Sequence, residues 1–276
     1  MNIGIFDSGL GGLVVMQSLI EVLPQYNFVY LGDTARMPYG NKSQEVIYES
    51  AKEGVDYLFK ECDCEIVITA CNTVSAKALR RLQQEYLEKE YGTEGKPSRR
   101  ILGVIFPLIE YVARHPYKKV GLLATRSTVA SQAYDRELEK VRPDIELIAS
   151  PAPLLVPLIE EGWHEEDVTR IVVSRYTQPF RDAKVNALVL GCTHYPILSH
   201  MISDAMGPEV DVINAPQVIA ASFVTYLNSH PDLRELLSVE GKREYFVTDL
   251  NPFYESYAQK LFSHPAVFSQ VHIKRG

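Results

Sequence analysis

Positive charge is scarce in this chain. Its 28 lysines and arginines are outnumbered by 35 aspartates and glutamates, a net charge of −7, whereas a surface built to neutralise phosphates needs basic residues in clusters. Nucleic acid is therefore not an expected partner, and a small molecule is. Long apolar runs are missing too, since no stretch is long and apolar enough to span a bilayer. The first residues, Met1-Asn2-Ile3-Gly4-Ile5-Phe6-Asp7, enter a strand-like run without the basic start or apolar core of a secretory signal. No membrane is expected, and the cytoplasm is the expected compartment. Cysteine is sparse, at Cys62, Cys64, Cys71 and Cys192. Four thiols without an export signal predict free sulfur in a reducing compartment and argue against a disulfide scaffold.

What the chain has is apolar residues in quantity. At 276 residues and 46% hydrophobic, it exceeds the usual single-domain size, so two compact domains are expected. Strand-like runs at 3–6, 28–31, 65–69, 101–105, 119–124, 145–149, 187–190, 211–213 and 245–248 alternate with helix-length segments. This alternation predicts an α/β fold. Segments 12–23, 43–61 and 73–91 read as crossover helices. The polar stretch 91–100 holds two glycines and a proline and lacks apolar periodicity, which makes it the candidate linker. A second crossing is expected near Met206-Gly207-Pro208. The expected domains are 1–98 with 207–276, a discontinuous first lobe, and 99–206, the second.

An approximate internal repeat points the same way. Ile3-Gly4-Ile5-Phe6-Asp7-Ser8 resembles Val120-Gly121-Leu122-Leu123-Ala124-Thr125, and Cys71 and Cys192 follow at a similar offset. Both cysteines end apolar runs and are followed by small polar side chains, in Ala70-Cys71-Asn72-Thr73 and Gly191-Cys192-Thr193-His194. A buried parallel strand that stops at such a residue delivers it to the crevice at the sheet's carboxyl edge. Two such exits predict one site approached from two sides. A helix N-terminus after each cysteine is expected to lower the thiol pKa from its reference of about 8.5.

Other polar positions carry two readings each. Asp7-Ser8-Gly9-Leu10-Gly11-Gly12 offers backbone N–H groups for an anion, or is a plain glycine turn. Arg36 reads equally as a carboxylate partner and as the mate of Asp33, while Tyr39-Gly40 looks like a ligand contact. His194, two residues beyond Cys192, is placed to tune it, although so short a spacing on a turn argues against direct contact. Glu160 reads as the orienter of a thiol or ammonium, or, with Glu161, as a solvated helix-start pair. Cys62 and Cys64 read as packing residues, because a lone C-x-C lacks a second ligand pair for zinc. His115, His164, His200, His230, His264 and His272 read as surface or helix-end residues.

Taken together, Ile5-Phe6-Asp7-Ser8-Gly9-Leu10-Gly11-Gly12, Gly32-Asp33-Thr34-Ala35-Arg36-Met37-Pro38-Tyr39-Gly40, Ala70-Cys71-Asn72-Thr73 and Gly191-Cys192-Thr193-His194-Tyr195-Pro196 resemble the motif set of glutamate racemases in the aspartate/glutamate racemase superfamily. Ala124-Thr125-Arg126-Ser127-Thr128 and Val156-Pro157-Leu158-Ile159-Glu160 resemble that family as well. The resemblance implies two similar α/β lobes with mainly parallel sheets, a site in the cleft between them, and the carboxyl-terminal segment returning to the first lobe. It implies interconversion of L- and D-glutamate with no cofactor and no metal, supplying D-glutamate for peptidoglycan. By the motif match Cys71 exchanges a proton with the D-enantiomer and Cys192 with the L-enantiomer, assisted by Asp7 and His194 respectively. Ser8, Tyr39, Gly40, Asn72, Thr73 and Thr193, together with Asp7 and His194, match substrate-holding positions, and Asp33, Thr125, Thr128 and Glu160 match supporting ones. Glutamate is the expected small-molecule partner and a second copy of the chain, as a homodimer, the expected protein partner. Phe106 departs from the pattern, standing where many relatives carry an acid. Three alternatives stay open: a racemase for aspartate or another amino acid, a two-lobed amino-acid-binding module without turnover, and a thiol hydrolase using Cys192 with His194.

Overall fold

The computed structural model describes residues 1–92, 99–262 and 266–273, the side chains of 252, 253, 260 and 261 excepted. Among the described residues, ten strands form two parallel sheets. The first sheet has the order β10-β9-β2-β1-β3-β4 and the second β6-β5-β7-β8. In chain order the strands are β1 (Asn2–Asp7), β2 (Phe28–Gly32), β3 (Cys64–Thr69), β4 (Arg100–Gly103), β5 (Lys119–Ala124), β6 (Glu146–Pro151), β7 (Ala187–Gly191), β8 (Asp211–Ile213), β9 (Arg243–Val247) and β10 (Phe268–Gln270).

Each sheet is covered on both faces, so the middles of its central strands are apolar. Ile3 and Ile5 of β1 pack with Ile66 and Ile68 of β3 on one face, where helices Gly12–Val22 and Ala215–Asn228 cover them. Phe6 and Val67 point to the other face, against helix Gln44–Lys60. The second sheet repeats the arrangement, with Val120 and Leu122 on one face and Leu123, Leu188 and Leu190 on the other. Strands buried on both sides read as continuous hydrophobic runs, and for that reason they were legible in the sequence.

The two sheets share a motif as well as a class. β1 lies between β2 and β3, just as β5 lies between β6 and β7. In each sheet the strand order reverses at the central strand, and the crevice outside the strands' carboxyl ends at such a point is where α/β folds bind ligands. Asp7 and Cys71 leave one crevice; Thr125 and Cys192 leave the other.

Strand membership differs from the expected domain limits. Arg100–Gly103 was expected in the second lobe but pairs with β3 in the first sheet, and Asp211–Ile213 was expected in the first but pairs with β7 in the second. The reason is the same twice over. The helix that follows each cysteine is half of a right-handed crossover, which closes only when a parallel strand returns beside the cysteine's own strand. The chain therefore leaves each sheet one strand later than the loop composition suggested. Most of the candidate linker, residues 93–98, lies outside the described residues, as does His264. The single helix expected over 73–91 is instead a series of short turns beginning with Asn72–Lys77, and Phe268–Gln270 is a strand the reading did not include.

Candidate active site

Both thiols open into one cavity. It measures about 50 Å³ and its lining includes Ser8, Tyr39, Gly40, Cys71, Asn72 and Thr73 from the first lobe and Thr125, Arg126, Glu160, Cys192, Thr193 and His194 from the second, with Pro153, Val156 and Pro157 among its apolar residues. Drug-sized ligand pockets run to several hundred Å³, so this closed space suits a compact polar ligand. A larger cavity of about 700 Å³, near Arg80, Gly103 and the half-exposed Phe106, contains neither thiol. Chemistry, not size, makes the smaller one the candidate site.

Cys71 stands just ahead of helix Asn72–Lys77, nearly buried, with its sulfur 3.4 Å from Ser8 Oγ. The expected depression of its pKa is not found. Burial, reinforced by the Asp7 charge, pushes the Cys71 thiol up to about 12, and the Ser8 hydroxyl and Val74 N–H offset this only in part. A helix of six residues supplies too little dipole to outweigh the loss of solvation.

Asp7 sits at the end of β1, fully buried, behind the cavity wall, and does not line the space. Its Oδ1 accepts the Gly9 N–H at 2.9 Å. Burial holds its carboxyl above the ordinary range, against the charge of His194 and hydrogen bonds from Gly9, Thr193 and Gly12. Across the cleft, Cys192 Sγ lies 3.9 Å from His194 Nδ1, so the expectation that residues two apart fail to meet is corrected. The turn into Tyr195–Leu198 folds the imidazole back onto the thiol. His194 Nε2 lies 3.0 Å from Glu160 Oε1, an ion-pair distance without hydrogen-bond alignment. Burial alone would lower the imidazole's pKa, but the thiol of Cys192 and the carboxylate of Glu160 overcome it and raise the pKa to about 10. The open reading of Glu160 thus resolves toward the histidine.

The supporting residues form a layer behind the wall. Asp33 does not line the cavity: its Oδ2 accepts from Arg36 Nε at 2.7 Å and from the Tyr39 hydroxyl, and its Oδ1 accepts from Thr248 at 3.0 Å. Arg36, which also pairs with Glu53, is therefore a structural mate of Asp33 and not a ligand group. Thr73 Oγ1 lies 3.1 Å from Thr125 Oγ1, which in turn donates to Thr128 Oγ1 at 3.0 Å, so a chain of hydroxyls joins the lobes. Thr128 belongs to that chain and does not reach the cavity wall. Cys62 and Cys64 are buried in the first lobe's core, as read. Among the described residues no group of three His, Cys, Asp or Glu gathers as for a metal, and no helix is long and apolar enough to cross a membrane.

The family model described as Asp/Glu/Hydantoin racemase matches residues 12–223. This chain belongs to that racemase family. A glutamate racemase from Geobacter metallireducens is 38% identical over 249 residues, 90% of this chain and 87% of the relative. A solved glutamate racemase from Francisella tularensis, in complex with D-glutamate, matches with a TM-score of 0.86 at 29% identity, covering 99% of this chain and 97% of that one. The glutamate racemase from Aquifex pyrophilus matches with a TM-score of 0.77 at 34% identity, over 97% and 98% of the two chains. Pro153 and Val156 line the cavity and Tyr134 bonds to its lining residue Asn72, and residue patterns singled out none of the three for chemistry. Tyr134 sits inside an amphipathic helix, and the other two are apolar.

Proposed function

We propose that the chain is a cofactor-independent glutamate racemase of the cytoplasm, working by proton transfer between two thiols and supplying D-glutamate for peptidoglycan. The observation that carries this reading is that Cys71 and Cys192 line one cavity from opposite lobes, each with its own ionisable assistant. Glutamate is the substrate named for the relatives above at up to 38% identity. The lobes divide along strand membership, after Gly103 and after Ile213.

The reaction follows from the protonation states. With its pKa near 12, Cys71 holds its proton before substrate enters, while His194, its imidazole pKa raised to about 10, stands with Nδ1 3.9 Å from the Cys192 sulfur. The Cys192 thiolate removes the α-proton of L-glutamate. The electron pair left on the α-carbon delocalises into the carboxylate, and Cys71 donates its proton to the opposite face. D-glutamate results, with Cys192 now a thiol and Cys71 a thiolate, and the reverse reaction starts from that form. Asp7 makes the Cys71 thiolate more basic, which favours proton abstraction from carbon. Donors at Asn72, Thr73 and Thr193 meet the carboxylate where charge accumulates, in a space that admits little water.

Polarimetry on separate solutions of L- and D-glutamate, without pyridoxal phosphate, tests the reading. Both rotations should decay to zero, with aspartate turning over far more slowly. No decay, or decay with aspartate alone, overturns it.

The histidine supplies a pH test. Its folded pKa of about 10 exceeds the ordinary 6.5, so the stabilisation from its charged form is complete below pH 6.5 and is lost as pH rises through 10. Unfolding free energy from urea titrations should fall across that window, and His194→Gln should flatten the fall.

A further inference from the structure

Tyr134 belongs to helix Ala133–Val141 of the second lobe and is buried to 1% exposure, yet its hydroxyl is spent on the first lobe. It donates at 2.6 Å to Oδ1 of Asn72, the first residue of helix Asn72–Lys77 and a lining residue of the thiol cavity. A primary amide has an acceptor end and a donor end. With Oδ1 engaged by Tyr134, Nδ2 is turned away from that bond. A half-turn of the amide would exchange the two ends and set an oxygen against an incoming carboxylate.

We propose that Tyr134 is a positioning residue for the substrate: its hydroxyl fixes the Asn72 amide across the lobe boundary so that the amide N–H groups meet the ligand's α-carboxylate when the lobes are together. The inference rests on the glutamate reading and deepens it. Two further observations support it. Burial and the nearness of Cys192 push the Tyr134 hydroxyl well above its ordinary value, so it remains a donor throughout the working range of pH. The next residue is gripped the same way, Thr73 meeting Thr125 of the second lobe at 3.1 Å, so the start of this helix is aligned by the opposite lobe at two successive positions. Carboxylate recognition is thereby coupled to closure of the cleft.

The test is a double-mutant cycle on the full chain with D-glutamate as the probe, binding being followed by calorimetry and turnover by polarimetry. Tyr134→Phe keeps the packing and removes only the hydroxyl. It should weaken D-glutamate binding roughly 10-fold, as for one lost hydrogen bond of about 1.4 kcal/mol, and raise KM for both enantiomers more than it lowers kcat. In an Asn72→Ala background, which leaves no amide to orient, the same substitution should change binding less than about twofold. A purely structural tyrosine would weaken both backgrounds equally. Equal weakening, or unchanged binding in Tyr134→Phe alone, overturns the inference. Thermal unfolding is followed for each variant; if Tyr134→Phe lost its fold while the double variant kept it, the hydroxyl would serve stability through Asn72, and the positioning role would fall. Wild-type enzyme that neither binds nor racemises glutamate contradicts the proposed function itself, so the two failures are distinguishable.

Discussion

Cys71→Ser and Cys192→Ser each lower racemisation of glutamate by about 10²- to 10⁴-fold or more, the range a positioned acid–base group contributes. A serine hydroxyl fits either position, but its proton is held too tightly for either half of the reaction. Enantiomers have equal free energy in water, so kcat/KM must fall by the same factor in both directions, whichever thiol is lost. The asymmetry appears in isotope exchange. With Cys71 replaced, Cys192 still faces the α-proton of L-glutamate, so L-glutamate in heavy water should take up α-deuterium without inverting, and D-glutamate should not. Cys192→Ser should show the converse. NMR of the α-proton in each pure enantiomer reads both outcomes, and full racemisation in either variant defeats the two-thiol assignment.

Gly11→Ala should lower kcat/KM by about 10²-fold while leaving the fold at least as stable as before. A β-carbon on Gly11 would run into the Thr193 hydroxyl and come within 2.8 Å of the Thr193 backbone and of His194 Nδ1. Those atoms belong to the opposite lobe, and a backbone carbon cannot swing aside as a side chain can. The lobes must then stand apart by a fraction of an ångström or more, and a displacement near 1 Å at reacting groups costs about 10²-fold in rate. The backbone of Gly11 is right-handed, with φ of −58°, which alanine adopts without strain. Any loss therefore belongs to cleft closure and not to folding, since alanine restricts the unfolded chain and favours the folded one by about 0.4–1 kcal/mol. Steady-state kinetics beside a urea titration separates the two, and an unimpaired Gly11→Ala contradicts the closed arrangement.

The parts of the fold that were legible in the sequence are those where one local rule decides. Ile66-Val67-Ile68 and Leu188-Val189-Leu190 are apolar without alternation because both faces of each sheet are covered. The residues at their carboxyl ends declared themselves by breaking the run. What stayed hidden depends on long-range partners. Arg100–Gly103 looks like the start of a new lobe until β3 is seen to need a neighbour. The high pKa of Cys71 arises from its burial and, after that, from the charge of Asp7, 64 residues earlier in the chain. Tyr134 carries no sequence signal at all, because its partner Asn72 is 62 residues away and in the other lobe. Asp33 shows the intermediate case: its motif match implies a supporting role, but only the bonds to Arg36, Tyr39 and Thr248 show that its carboxylate is engaged behind the cavity wall.

The most direct measurement starts wild-type enzyme on L-glutamate in heavy water and follows α-deuterium separately in the two enantiomers over the first few per cent of turnover. Opposed thiols predict that the D-glutamate formed carries deuterium from the outset while the remaining L-glutamate stays largely protonated. Deuterium entering both pools together from the start would mean a single base serving both faces, and would contradict the account.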